Sequence, residues 1–147
     1  IADIDTYRKG PEDDLYPNFP VNYLKLDKVP GPDENWRPVL EAMRSGNFFV
    51  TSGEILITNY NVEGTGDRRT ITADLEWTFP LSFLEVVWGD GTKVDRQIIP
   101  ATDLIAFGTK HFTIPFDAKG KSWVRFAAWD SAANGAFVQP VWLKSRQ

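Results

Sequence analysis

The chain has 147 residues, 42% of them hydrophobic and 24% charged, which suits one domain with a sizeable core and excludes wholesale disorder. The formal net charge is −4 and the 16 basic residues are scattered, which argues against nucleic acid as a partner, because nucleic-acid binding needs clustered Lys and Arg. No apolar stretch approaches the roughly 20 residues that cross a bilayer, so we predict no membrane insertion.

Two residue types limit the chemistry. The chain has no cysteine, which excludes thiolate zinc sites, disulfides and cysteine nucleophiles. Its single histidine, His111, cannot build a multi-histidine metal centre. We therefore predict that this chain is not an enzyme and that it holds no catalytic residue, metal ligand or cofactor.

The sequence opens with Ile1 rather than Met, so we expect a piece of a longer protein whose own N-terminus is out of view. The compartment is left open. The extracellular space and the periplasm are both compatible with a cysteine-free domain, because a domain with a sufficient core needs no disulfides.

Residues 1–35 are predicted to form an irregular arm. Five of the ten prolines fall here, and proline fixes φ and lacks a backbone N–H, so regular structure cannot run far. Residues 21–26 alternate between apolar and polar and predict one short strand. Leu15, Tyr16 and Phe19 make the arm too apolar for a free linker. We expect it to pack on the sandwich described next or on a neighbouring domain.

One helix is predicted over residues 36–46, at a domain junction. An apolar stripe at i, i+3, i+4 and i+7 consists of Trp36, Val39, Leu40 and Met43. Asn35 is the predicted N-cap, and Pro38 falls in the first turn, where its missing N–H costs nothing. Gly46 is expected to end the helix in the left-handed conformation.

From residue 47 to 147 the apolar period changes from 3.6 to 2, which predicts strands. They are expected near 48–51, 55–62, 69–79, 83–88, 93–99, 109–116, 122–129 and 136–143, the first two forming either one strand or two. Asp90-Gly91 predicts a tight hairpin in which both central residues have positive φ, and a second turn is expected at 133–135. Regular short strands without intervening helices indicate a mostly β, immunoglobulin-like antiparallel sandwich of about seven strands.

The most distinctive stretch covers residues 36–53 and reads W-R-P-V-L-E-A-M-R-S-G-N-F-F-V-T-S-G. It resembles a junction near the end of metallohydrolases of the polymerase-and-histidinol-phosphatase (PHP) superfamily, where leucine-x-alanine-x-arginine-x-glycine leads into phenylalanine or tyrosine and then valine-threonine-x-glycine. The segments 123–125 and 139–142 are similar to the last strands of the sandwich that many of these proteins append to their barrel. The family's histidine-rich metal motifs do not occur in this chain. The resemblance therefore covers residues 36–147 and implies an accessory sandwich whose partner is an N-terminal catalytic barrel of the same polypeptide.

Five residues are candidate ligand or interface contacts: Trp36, Glu54, Trp123, Arg125 and Trp129. Alternation places Trp123 and Trp129 on one face with Arg125. Core packing is the favoured interpretation of the tryptophans, and stacking against sugars is the alternative. The leading hypothesis is thus a non-catalytic accessory domain, with a stand-alone carbohydrate-binding module as the alternative. A structural module of an extracellular assembly is a third hypothesis that the sequence does not separate from these two.

Other polar residues have simpler interpretations. His111 alternates with the apolar residues of its strand, so we expect it on a polar face as a surface or hydrogen-bonded side chain. Asp130 is the only carboxylate near Asn134, so a hairpin turn is favoured over a calcium loop, which needs six or more oxygens. No recognisable carboxylate pair indicates glycoside hydrolysis.

Overall fold

The computed structural model describes residues 20–143, which form two antiparallel β-sheets and one helix. The elements are β1 (Val21–Leu24), α1 (Arg37–Ser45), β2 (Phe48–Thr51), β3 (Ile55–Glu63), β4 (Arg68–Trp77), β5 (Leu81–Gly89), β6 (Val94–Pro100), β7 (Gly108–Asp117), β8 (Trp123–Asp130), β9 (Gly135–Val138) and β10 (Val141–Trp142). The larger sheet has the order β1-β2-β9-β8-β5-β6, with β10 paired to β8, and the smaller sheet has the order β3-β4-β7. The predicted mostly β sandwich with a short helix is confirmed.

The described residues contain ten strands, more than the seven or so expected from alternation. β2 and β3 are separate strands in different sheets, and the chain turns between them at Gly53, whose φ is 108°. The region 136–143 is two short strands rather than one, because Pro140 has no N–H to donate to a sheet. β1 adds an edge strand that pairs with β2. The arm was expected to pack through Leu15, Tyr16 and Phe19, and these three residues lie outside the described range.

The corner between the two sheets is fixed by hydrogen bonds to a distant strand. The Ser52 N–H donates to the carbonyl of Gly135 at 3.0 Å, and the Gly135 N–H donates to the Ser52 hydroxyl at 2.9 Å. Thr51 is fully buried, and its hydroxyl accepts the Gly53 N–H at 2.9 Å. The start of the sandwich is thereby joined to β9.

α1 begins one residue later than its predicted cap implied. The N-cap position is Trp36 rather than Asn35. Asn35 precedes the N-cap by one residue, and its Oδ1 accepts the Arg37 N–H at 3.0 Å. Gly46 ends the helix with φ 76°, as predicted. Ala42 is the buried residue of this helix, while Trp36 and Leu40 keep about half of their surface exposed. The apolar stripe of the helix is therefore only partly covered by residues 20–143.

The core lies between the two sheets. Its largest fully buried side chains are Ile55, Ile71, Leu75, Leu84, Val86, Val124 and Phe126, and burying such a side chain contributes about 1.5–3 kcal/mol. Trp77 is also buried, as expected, and its indole N–H donates to the carbonyl of Ile105 at 3.1 Å. Trp88 is partly buried at the edge of this core, with its ring edge-on to Phe116.

The β5–β6 hairpin differs from the prediction of a two-residue turn. Residues 90–93 form a four-residue connection in which only Gly91 has a positive φ. The Asp90 Oδ1 accepts the N–H groups of Thr92 and Lys93 at 2.7 and 2.8 Å. These bonds lower the pKa of Asp90 to about 2. The Asp90 carboxylate and a backbone hydrogen bond from the Asp90 N–H to the Lys93 carbonyl, at 3.2 Å, close the turn, and Asp90 does not adopt a positive φ.

Candidate functional site

The outer face of the larger sheet, called here the broad face, is apolar at its centre. Directly paired residues share a face of a sheet, and one such row crosses six strands through Asn22, Val50, Phe137, Ala127, Glu85 and Ile98. Val50 and Ala127 are only 3% and 0% exposed, although they point away from the core between the sheets. The larger sheet is thus buried on both sides along its middle.

Trp123 and Trp129 lie on the broad face, each beside a glycine of a neighbouring strand. Trp123 pairs with Gly89 of β5, and Trp129 pairs with Gly135 of β9. A Cβ added to either glycine would lie 2.5 Å from the indole, so only glycine leaves room for the ring. The indoles therefore lie over the neighbouring strands, as aromatic side chains do when they cover glycine in a sheet.

The broad face also holds two charged groups close to the sheet. Glu85 is 6% exposed, and its carboxylate accepts Nη1 of Arg96 at 3.0 Å and the indole N–H of Trp129 at 3.3 Å. The guanidinium of Arg125 lies 5.2 Å from the ring centre of Phe137, and its buried Nε has no partner among the described residues. Trp123, Arg125 and Trp129 thus share one face, as alternation predicted. The partnership with Glu85 was not foreseen.

The outer face of the smaller sheet, called here the narrow face, is polar. One row across its three strands consists of Asn61, Thr72 and Thr113, and the next contains Asn59, Asp74 and His111. The Nδ1 of His111 lies 2.6 Å from Oδ1 of Asp74, and this hydrogen bond lowers the pKa of Asp74. His111 is the surface side chain that the strand pattern indicated.

The other two candidate residues lie apart from the broad face. The indole N–H of Trp36 donates to the carbonyl of Gly31 at 3.2 Å, within the segment that precedes α1. Glu54 follows β2, and its carboxylate accepts the hydroxyl of Thr78 beside the smaller sheet. The structure therefore groups three of the five candidates and leaves Trp36 and Glu54 elsewhere.

The loop after β8 uses its carboxylate for a turn. The Asp130 Oδ1 accepts the N–H groups of Ala132 and Asn134 at 2.8 Å, and its Oδ2 accepts the side-chain amide of Asn134 at 2.9 Å. A search of residues 20–143 for three or more His, Cys, Asp or Glu placed to hold a metal ion finds no such group. No helix in the same range combines the length and apolarity that crossing a bilayer takes.

A groove of about 560 Å³ opens between β1, β2 and the β9–β10 connection on one side and β3 on the other. This side groove has five aromatic residues from both sheets in its lining, namely Tyr23, Phe48, Phe49, Tyr60 and Trp142. None of the five was a candidate contact in the sequence analysis. Tyr23 lay in the arm, and the aromatic spacing within each strand was equally consistent with the core.

The two surfaces offer different chemistry. The broad face presents apolar rings and charges that are already paired or stacked, which suits protein contact, whereas the side groove is concave and open to a small ligand. No protein-family model, curated protein or solved structure matches this chain.

Proposed function

We propose that this chain is a non-catalytic accessory domain that docks through its broad face onto another folded unit. The observation that carries the proposal is the apolar character of this outer sheet face, on which Val94 and Ile98 keep 67% and 44% of their surface exposed. Outer faces of antiparallel sheets that remain in water are normally polar, as the narrow face is. An apolar outer face is typical of a surface that packs against a partner.

The side chains of the broad face are of the types that anchor protein interfaces. Trp and Arg are enriched among the residues that contribute most binding energy. Trp129 is held by its hydrogen bond to Glu85 and by its position beside Gly135, so little side-chain entropy remains to be lost on docking. Arg125 is likewise placed over Phe137 before any partner arrives.

The resemblance of residues 36–53 to the PHP-superfamily junction supports a metal-dependent hydrolase barrel as the docking partner. In that arrangement the barrel precedes the helix, and the sandwich follows it. The half-exposed side chains of Trp36 and Leu40 extend the apolar surface at this junction. The sandwich then supports or shapes the barrel, while the chemistry belongs to the barrel.

Site-specific photo-crosslinking in the full-length parent polypeptide tests the docking. Benzoylphenylalanine in place of Trp129 is expected to crosslink to sequence outside these 147 residues, because its side chain faces the partner. The matched control carries the same group in place of His111, on the narrow face, and is expected to give no such crosslink. Equal crosslinking from both positions, or none from position 129, contradicts the proposal.

A second test concerns catalysis. The isolated chain, assayed against phosphoesters and amides with added Zn²⁺ or Mn²⁺, is expected to give no turnover above buffer containing the same metal. Turnover that depends on both the metal and this chain would contradict a non-catalytic role.

The alternative of a stand-alone carbohydrate-binding module stays a prediction. A carbohydrate-binding module is expected to present a concave surface lined by aromatic rings. The feature that favours this alternative is the side groove rather than the tryptophans of the broad face. A docked accessory domain and a sugar-binding groove use different surfaces, so the two functions are compatible.

A further inference from the structure

The side groove provides a second surface, independent of the proposed docking through the broad face. We propose that it binds a neutral, hydroxyl-rich ligand, a short stretch of oligosaccharide, between aromatic side chains of the two sheets. Three features carry this inference: the aromatic walls, a buried phenol hydroxyl and the near absence of charge in the lining.

The aromatic walls come from strands that are distant in sequence. On β1 and β2, the rings of Tyr23 and Phe49 stack at 5.1 Å with an interplanar angle of 11°. Tyr23 is 47% exposed and keeps accessible surface, whereas Trp142 pairs with Trp123, which places its ring on the broad-face side of the sheet. The face of an aromatic ring is electronegative and attracts the C–H groups of a sugar ring, which makes such rings suitable platforms for saccharides.

The hydroxyl of Tyr60 gives the groove a specific polar group. The Tyr60 ring lies 6.1 Å from that of Phe126, at the edge of the core, and its hydroxyl is buried without a hydrogen-bond partner among the described residues. Burial raises the pKa of Tyr60, so the phenol stays neutral and both donates and accepts. Leaving such a group unpaired is unfavourable, and a ligand hydroxyl that displaces the side chains covering it removes the penalty.

The charge of the lining indicates a neutral ligand. Among the described residues that line the groove, Lys25 is the one charged side chain, and no carboxylate is present. Phosphate and carboxylate ligands usually require several cations or a bidentate Arg. The amides of Asn47 and Gln139 instead supply both donors and acceptors, which match sugar hydroxyls.

Backbone at Gly46 and Pro140 contributes to one wall of the groove. Gly46 ends α1 next to Gln139, and a Cβ at Gly46 would lie 3.2 Å from the Gln139 Cβ. Pro140 separates β9 from β10, so the chain leaves the sheet at this wall. The volume of about 560 Å³ falls within the range of small-molecule sites.

Calorimetric titration of this chain with cellohexaose, xylohexaose, mannohexaose and an anionic hexagalacturonate tests the proposal. At least one neutral hexasaccharide is expected to bind saturably, and hexagalacturonate is expected to bind more weakly. Tyr23→Ala is expected to weaken binding about tenfold, equivalent to about 1.4 kcal/mol. The control, Phe107→Ala, removes a ring that is 71% exposed and lies outside the groove, and it should leave the affinity unchanged.

Tyr60→Phe separates a ligand contact from a purely structural residue. We expect this variant to unfold at a higher urea concentration, because an unpaired buried hydroxyl is removed, and yet to bind the saccharide several-fold more weakly. Unchanged affinity in Tyr60→Phe, tighter binding of hexagalacturonate, or no binding of any neutral hexasaccharide at millimolar concentration overturns the proposal. Trp129→Ala should bind the saccharide like the unaltered chain, so failure of the groove and failure of broad-face docking are told apart.

Discussion

The two outer faces of the sandwich differ although both belong to antiparallel sheets. At the centre of the broad face, Val50 and Ala127 are almost inaccessible to solvent, whereas on the narrow face the side chains of Asp74 and His111 remain 38% and 55% exposed. β4, the central strand of the narrow face, alternates strictly from Ile71 to Trp77, so one of its sides enters the core and the other meets water. The central strands β5 and β8 of the larger sheet are buried on both sides along most of their length, so the middle of that sheet is covered on its outer face as well as on its core face.

Replacing one residue of each face by Asn gives the largest expected difference in the free energy of unfolding. Val50→Asn removes a buried apolar side chain and buries an unpartnered amide, so we expect the free energy of unfolding to fall by about 3 kcal/mol. Thr72→Asn on the narrow face is expected to cost less than about 1 kcal/mol. Urea unfolding measures both values, provided that the slope of unfolding free energy against urea concentration is the same in each variant. Similar losses at the two positions would abolish the distinction between the faces.

The glycines under the tryptophans give the next largest effect. Gly135→Ala places a methyl group 2.5 Å from the ring of Trp129, and we expect the displaced indole to cost about 2 kcal/mol of unfolding free energy. Gly31→Ala is the control, because its added methyl group meets only the flexible side chain of Glu34, at 3.8 Å. The same urea titration, followed by tryptophan emission, compares them. A Gly135→Ala variant as stable as Gly31→Ala would mean that the indole does not lie over β9.

The smallest expected effect concerns acid titration of the narrow face. The hydrogen bond to His111 makes the pKa of Asp74 lower in the folded chain than its ordinary value of 3.8. The stability that Asp74 contributes is therefore fully present above that ordinary value, and it is lost as the pH falls through the folded pKa. Urea midpoints between pH 5 and pH 2 should fall less steeply in Asp74→Asn than in the unaltered chain. An identical pH dependence of the two would show that the pair does not stabilise the fold.

Much of the fold could be predicted from sequence because its signals are local. The strict alternation of β4, from Ile71 to Trp77, and the apolar stripe of α1 each need only a short window. The broad face also has a local signal that alternation alone does not express. Near-continuous apolar runs in β5 and β8 are typical of strands that are buried on both faces.

The remaining features depend on register between distant segments. Alternation placed Trp123 on a face with Arg125, but only the β5–β8 pairing brings Gly89 beside it. The side groove requires β1 to pair with β2, and nothing in the spacing around Tyr23 reveals that pairing. The Asp90 turn was predicted at the right position with the wrong mechanism, since the dipeptide Asp-Gly fits both a tight hairpin and a carboxylate-capped loop.

The bonds between Ser52 and Gly135 have a consequence for how the chain folds during its synthesis. They join residues 83 positions apart, and β2 meets its inner neighbour β9 only after that whole stretch has been made. At ribosomal rates of about 5–20 residues per second, this delay is on the order of ten seconds. Through that interval β1 and β2 carry apolar side chains without their inner neighbour strand. The N-terminal edge of the larger sheet is therefore completed late, and the nascent chain is exposed to aggregation there.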